Sequence, residues 1–180
     1  AAGSGSSISS VTRNDATAYV LMHHEPFDRF MYNASFRLGT SSAYEIPFIY
    51  SLDAKYALSN SLSLRAAFST NYRLPTFNDL YWEPGGNPDL KPEFIDSYDL
   101  GYLKKFDESF FSFEAYYRVT HDKSDRVSSI YTENVMLHTV KNVGQDYSLG
   151  VEAMLNIGLF KWWEMDVSGN LYNYRIEGVL

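Results

Sequence analysis

Cysteine is missing from the sequence altogether. A disulfide framework and a thiolate metal site are therefore excluded. Positive charge is scarce: 15 Lys and Arg stand against 22 Asp and Glu, a formal charge of −7. That balance argues against a nucleic-acid partner, which usually meets a basic face. Long apolar runs are also missing. The longest is Ala18–Met22, whereas a membrane-crossing helix needs ~20 apolar residues and a secretory leader a core of ~7–15. After Asn14 there is no helix-period segment with caps. No Gly-x-Ser-x-Gly, HExxH or phosphate loop occurs, so an enzyme is not expected. None of these absences excludes a β-barrel membrane protein, whose apolar residues alternate with polar ones.

Aromatic residues are abundant. They make up 17% of the 180 residues, as 15 Tyr, 12 Phe and 3 Trp. The first 14 residues are Ser/Gly-rich and patternless, and read as a loop or tag remnant. The rest alternates with period two, the signature of strands with two unlike faces. Strands are predicted at 15–24, 28–38, 45–58, 61–72, 96–106, 108–120, 146–159 and 162–174. In 62–72, for example, Leu62, Leu64, Ala66, Phe68 and Tyr72 oppose Ser63, Arg65, Ser69 and Asn71. The faces of 15–24 are ambiguous. Lys104 is the one charged residue on the apolar faces, close enough to a turn for its stem to snorkel.

A soluble sandwich also alternates, but three features favour a membrane barrel. The strands are long, ~9–13 residues against the usual ~5–6. Tight connections (HHEPFD, SNS, KFDES, 160–162) alternate with long or irregular ones (GTSSAY, 73–95, 122–145). Aromatics flank the tight turns: Phe27, Phe30, Tyr56, Phe106, Phe110, Phe111, Phe160, Trp162 and Trp163. Short periplasmic turns, longer outer loops and aromatic girdles are the pattern of outer-membrane barrels.

The segment 71–102, NYRLPTFNDLYWEPGGNPDLKPEFIDSYDLGY, resembles a signature of the TonB-dependent outer-membrane receptors. It carries Arg73, Pro75, Thr76, Phe77, Leu80, Tyr81, Gly86, Asn87, Pro88, Leu90, Pro92, Glu93, Ser97, Tyr98 and Gly101 in the family's order. A second match is Asn142-Val143-Gly144, then Tyr147 and Gly150-Val151-Glu152. The stretch 161–178 is similar to the barrels of Bacteroidota transporters. The resemblance covers about residues 15–178. It implies an all-β, antiparallel transmembrane barrel in the bacterial outer membrane, here as about eight consecutive strands from the C-terminal part of a 22-stranded type. A plug domain and a TonB-binding segment would then belong to a part that this chain does not contain. An entire eight-stranded barrel is the structural alternative.

The function implied is capture and import of a large, scarce nutrient such as an iron chelate, a corrinoid or a glycan. Alternatives are a scaffold barrel for surface lipoproteins and a stand-alone porin-like protein. Membrane lipid, TonB, the plug and a surface lipoprotein are the expected partners. No cofactor is expected.

Candidate ligand contacts lie on the outer loop: Asn78, Asp79, Tyr81, Trp82, Glu83, Asn87 and Asp89, aromatics beside amides and carboxylates. Four of the six prolines fall in this loop, so it cannot extend the strand ladder. Arg29, Arg37, Lys55, Arg65, Glu114, Arg118, Glu152 and Asp166 are expected to line the lumen. Some would touch the plug or the transport path, and others serve as cross-strand partners. His121, Asp122, Ser124 and Asp125 have too few regularly spaced oxygens for a calcium loop. His23 and His24 point to opposite faces and cannot share a metal.

Overall fold

The computed structural model describes residues 10–83, 85–132, 135–160 and 162–178. Eight strands run in chain order: β1 (Asp15–Phe27), β2 (Phe30–Ser41), β3 (Ile49–Ser59), β4 (Leu62–Arg73), β5 (Glu93–Lys105), β6 (Phe110–Thr132), β7 (Val135–Phe160) and β8 (Trp163–Glu177). Each pairs antiparallel with the next in a single sheet. Among the described residues β1 does not pair with β8. The sheet is thus an open wall and not the closed eight-stranded barrel held as an alternative, since closure requires the first and last strands to bond.

Alternation places one solvent on each side. On one side, Ala54, Ala66, Leu100, Ala115, Val151 and Leu171 form a continuous cross-strand row. One residue along lies the row Lys55, Arg65, Gly101, Glu114, Glu152 and Asn170. Among the described residues no second layer covers the apolar side. Leu100 is 63% exposed and Leu171 74%. A water-soluble sandwich would bury such a face against another sheet, so this one meets lipid. The ambiguous β1 resolves by register: Val20, Met22 and His24 face Phe36, Ala34 and Tyr32 on the lipid side, and Tyr19, Leu21 and His23 lie on the lumen side.

Short turns gather at one end: Asp28–Arg29, Asn60–Ser61 and 106–109. Long connections gather at the other, the end that faces outward in such barrels. Aromatics mark both levels. Near the short turns, Tyr102 packs on Phe111 and Phe113 with ring centres 5.8 and 5.9 Å apart. Toward the outer end, Phe36, Phe48, Tyr50, Phe68, Tyr98 and Tyr117 form a continuous ring-to-ring ladder. Lys104 reaches Ser61 Oγ in the neighbouring tight turn at 2.9 Å, leaving the lipid face as its stem length allows.

The structure departs from sequence expectation in three places. Residues 122–132 and 135–145 are not irregular loop: β6 and β7 continue outward as a long antiparallel pair. The loop 73–95 holds a short helix, α1 (Phe77–Tyr81), where no capped helix was expected. Arg29 sits in the β1–β2 turn and not on the strand wall. The opening residues 1–9, part of the expected tag or loop, lie outside the described residues.

Candidate functional site

The signature segment folds into a loop tied to its surroundings at both ends. Arg73 and Glu93 are cross-strand partners at the outward ends of β4 and β5. Strand pairing therefore brings the two charged ends of the motif together. Arg73 Nη2 meets Glu93 Oε1 at 2.5 Å. Glu93 is only 3% exposed. It also accepts from Ser124 N at 2.9 Å and from the Ser124 hydroxyl, and Lys123 Nζ lies 3.9 Å from its other oxygen. Burial pushes the Glu93 carboxyl upward, but Arg73 and the two Ser124 donors outweigh that and hold it below its ordinary range. Arg73 in turn is held above its own by the carboxylate.

The loop body docks on the β6–β7 hairpin. Asn142 acts as a splint: Oδ1 accepts from Lys91 N at 2.9 Å, and Nδ2 donates to Lys91 O at 3.1 Å and to Asp122 O at 2.6 Å. Asn87 Nδ2 donates to Val140 O at 3.0 Å, and Val140 N donates to Gly85 O at 3.2 Å. Leu80, Leu90 and Val143 are buried at 5%, 2% and 4% exposure. Among the described residues they are half of the buried hydrophobic side chains, in a structure whose wall leaves most of its apolar surface to lipid. Gly144, at φ +121°, adopts a backbone that only glycine tolerates well, and a Cβ there would collide with the Glu177 carbonyl. This accounts for the glycine of Asn-Val-Gly.

A third tie comes from the segment before β1. Arg13 Nη1 donates to Pro75 O at 2.9 Å and its guanidinium lies 5.4 Å over the Phe77 ring. Its Nε pairs with Asp15 at 2.9 Å. The loop–helix junction is closed by a capping box: Asp79 N donates to Thr76 Oγ1 at 3.2 Å and Thr76 N to Asp79 Oδ2 at 3.0 Å.

These ties divide the candidate ligand residues. Asp79 caps α1. Asn87 holds the hairpin and accepts from Asp89 N at 3.0 Å. Both side chains are spent on loop architecture. Asn78 gives its carbonyl to Trp82 N at 3.1 Å and keeps an exposed side chain, and Glu83 and Asp89 are also exposed. Tyr81 and Trp82 are exposed at 49% and 57%, and Tyr81 stacks near Phe77 with ring centres 6.4 Å apart. Phe77 and Tyr81 thus make an aromatic ledge, and exposed Trp82 follows it with its ring beside Gly85, on a loop braced from three sides. Sequence reasoning passed over Arg13, which lay in a patternless segment. It noted Arg73, Glu93 and Asn142 only as motif letters. Their pairing was accessible in principle, because Arg73 and Glu93 end two adjacent antiparallel strands.

On the lumen side, Lys55, Arg65, Glu114 and Glu152 line one concavity of about 610 Å³. Arg65 Nε bonds Asp53 Oδ2 at 2.6 Å. Glu152 accepts from Asn170 at 2.9 Å and Asp166 from Asn156 at 2.8 Å. Arg118 lies 4.8 Å over the Tyr116 ring, which itself covers Gly150 where a Cβ would clash. Arg37 stands opposite Tyr19 and Ile49 nearer the outer end. The groups of the His121–Asp125 stretch go separate ways: Asp122 O to Asn142, Ser124 to Glu93, Asp125 to its neighbour Arg126 and His121 toward Asp96. His23 and His24 meet Asn33 and Tyr32 on opposite faces. Among the described residues no group of three potential metal ligands forms.

An open antiparallel wall with a lipid face, a charged inner face and a braced outer loop defines an outer-membrane barrel protein. The chain belongs to the outer membrane protein beta-barrel family, whose model matches residues 48–179. It is 33% identical over 86 residues to the vitamin B12 transporter BtuB of Photobacterium profundum, 48% of this chain and 14% of that protein. It is 34% identical over 93 residues to the vitamin B12 transporter BtuB of Vibrio vulnificus, 52% of this chain and 15% of that one. The chain therefore matches about one-seventh of the length of these relatives. The siderophore receptor PirA of Pseudomonas aeruginosa shares the fold with a TM-score of 0.76 at 16% identity, over 90% of this chain and 36% of that one. The copper transporter OprC matches with a TM-score of 0.76 at 16% identity, over 91% of this chain and 30% of that one. These are barrels of the TonB-dependent receptor class that the signature resembles. Its place is the bacterial outer membrane.

Proposed function

We propose that this chain is part of the barrel of a TonB-dependent transporter and contributes both to ligand capture at the outer mouth and to the inner wall of the transport path. The observation that carries the reading is the braced aromatic ledge. Phe77, Tyr81 and Trp82 are exposed on a loop that Arg73–Glu93, Asn142 and Arg13 hold in place. A preorganised apolar platform beside exposed Asn78, Glu83 and Asp89 suits a large ligand with both apolar and polar surface, because little ordering entropy remains to be lost on binding. Iron chelates, corrinoids and glycans all meet that description.

The charged concave face would meet the plug, and TonB would engage the part of the receptor before this segment. These domain and partner assignments follow from the family reading. The chemistry is binding and gated passage with no covalent step. The complete receptor, in detergent or vesicles, provides the test. Titration with a ferric siderophore, cyanocobalamin and an oligosaccharide should quench Trp82 fluorescence for one class, and Tyr81→Ala with Trp82→Ala should weaken that binding about tenfold or more. Absence of a response to all three classes would overturn the reading and favour a scaffold barrel.

A further inference from the structure

We infer that the ledge on the outer loop selects an uncharged ligand rich in hydrogen-bond donors and turns away anionic iron chelates. The inference rests on the capture reading given above and narrows it to one ligand chemistry. Three observations carry it.

The first is the make-up of the rim around the rings. Between Arg73 and Glu93 the loop holds three carboxylates, Asp79, Glu83 and Asp89, against one cation, Lys91. Asp79 is spent on the α1 cap. Glu83 and Asp89 are exposed, and neither makes an ion pair among the described residues. Asn78 adds an exposed amide. The rim is therefore mostly acceptor, and what fits it must donate. Hydroxyl and amide groups make stronger hydrogen bonds to a carboxylate than to a neutral acceptor.

The second is the fate of the nearby cations. Arg13 pairs with Asp15 at 2.9 Å, donates to Pro75 O and lies over Phe77. Arg73 and Lys123 both attend Glu93, at 2.5 and 3.9 Å. An anionic ligand that drew on these cations would have to break the braces that hold the ledge. Lys91, Arg126 and Lys141 make no ion pair among the described residues, yet each has a carboxylate close by in chain or register. Asp89 lies two residues before Lys91, and Asp125 precedes Arg126 and stands opposite Lys141. The positive charge at this end is thus matched by the chain's own carboxylates, while Glu83 and Asp89 leave the rim negative.

The third is the floor. Phe77 and Tyr81 lie with ring centres 6.4 Å apart and planes 27° apart, and both are exposed. Two rings so placed offer a flat apolar surface. An uncharged ligand loses little hydration by covering it. A charged group would shed its hydration shell there with no opposite charge to replace it. The C–H face of a sugar fits this floor, and so does the edge of a macrocycle with amide arms. Both combine an apolar face with uncharged donors.

The complete receptor in detergent provides the test, with three probes: a neutral oligosaccharide, cyanocobalamin and an anionic tris-catecholate ferric chelate. At low salt one of the two uncharged probes should bind about tenfold or more tightly than the chelate. Which of the two binds separates hydroxyl donors from amide donors. Added salt should leave the affinity of the uncharged probe unchanged and improve that of the chelate, because screening lifts the repulsion. Glu83→Lys/Asp89→Lys should strengthen chelate binding about tenfold and weaken the uncharged probe about threefold or more. Glu83→Gln/Asp89→Asn keeps acceptor oxygens without the charge and should fall between wild type and the lysine variant for both probes. Both positions are exposed, so heat-modifiable mobility should be the same in all three proteins. A wild-type receptor that binds the chelate most tightly would overturn the inference and leave the capture reading standing. So would a lysine variant whose chelate binding does not move. Failure of all three probes to bind would overturn capture itself, and the inference with it.

Discussion

Leu171 and Asn170 are neighbours on β8, yet they answer to different solvents. Leu171 ends the lipid-facing row that includes Leu100 and Val151, while Asn170 ends the row of Lys55, Arg65, Glu114 and Glu152 and bonds the last of these at 2.9 Å. The same backbone ladder serves both faces. A one-residue slip of β4 or β6 against its neighbours would carry Arg65 or Glu114 into hydrocarbon, so the membrane itself fixes the register. The largest expected effect tests this contrast. Leu171→Arg should destabilise the folded receptor by about 2–4 kcal/mol if the site is near the bilayer midplane. Asn170→Arg, which gains Glu152 as a partner, should change stability by about 0.5 kcal/mol or less. Urea unfolding of the complete receptor in vesicles measures both. Equal costs would mean that the two faces do not see different solvents.

This two-sidedness is what the sequence displayed most openly, because period-two alternation is a local property. Leu62 through Tyr72 reveal their faces without reference to any other strand. The length of β6 and β7 was harder to read. Beyond Thr120 both faces meet water, polarity no longer alternates, and a bulge at Asp122 (φ 50°) interrupts the register. A solvated hairpin then has the composition of a loop. Helix α1 escaped for another reason. With five residues it is too short for periodicity, and it is held by its Thr76–Asp79 capping box and by Leu80 packing under the loop. Arg13 belongs to the same class: its role depends on contact with Pro75 and Phe77, more than 60 residues away in the chain.

The wall and the outer layer differ in a second way. Removing one side chain from the wall leaves its backbone ladder intact, whereas the outer layer hangs on a few side chains. Glu93 is the test. Its carboxyl is held below its ordinary range in the folded state. The stabilisation it supplies is therefore fully present above the unfolded carboxyl value, about 4.3, and is lost as pH falls through the folded value. Hydrogen exchange at Ser124 N and Lys91 N should accelerate on acidification below about pH 4, with the wall amides of β4 and β5 unaffected. In Glu93→Gln the exchange at those amides should be faster already at pH 7, by about 3- to 30-fold for the loss of a charged partner. Its dependence on acid should flatten. A wild-type loop insensitive to acid would show that the Asn142 splint alone carries the docking.

Arg13 should show the smallest effect of the three, and it isolates how much the bracing matters to the ledge. It approaches α1 from outside the signature, through one carbonyl bond to Pro75 and one ring contact to Phe77. A hydrogen bond of this kind contributes ~0.5–1.5 kcal/mol, and a partly exposed cation–π contact ~0.5–1 kcal/mol. Arg13→Ala should therefore leave global unfolding unchanged within error, because neither contact belongs to the strand ladder. It should instead loosen α1, seen as faster exchange at Leu80 N, which bonds Thr76 O at 3.1 Å, and as a broader Trp82 emission. Arg13→Lys separates the two contacts: a lysine can still donate to the Pro75 carbonyl but lacks the planar face that lies over Phe77. If Lys restores the exchange rate, the carbonyl bond is the brace. If it does not, the ring contact is, and the orientation of Phe77 beside Tyr81 sets the shape of the ledge.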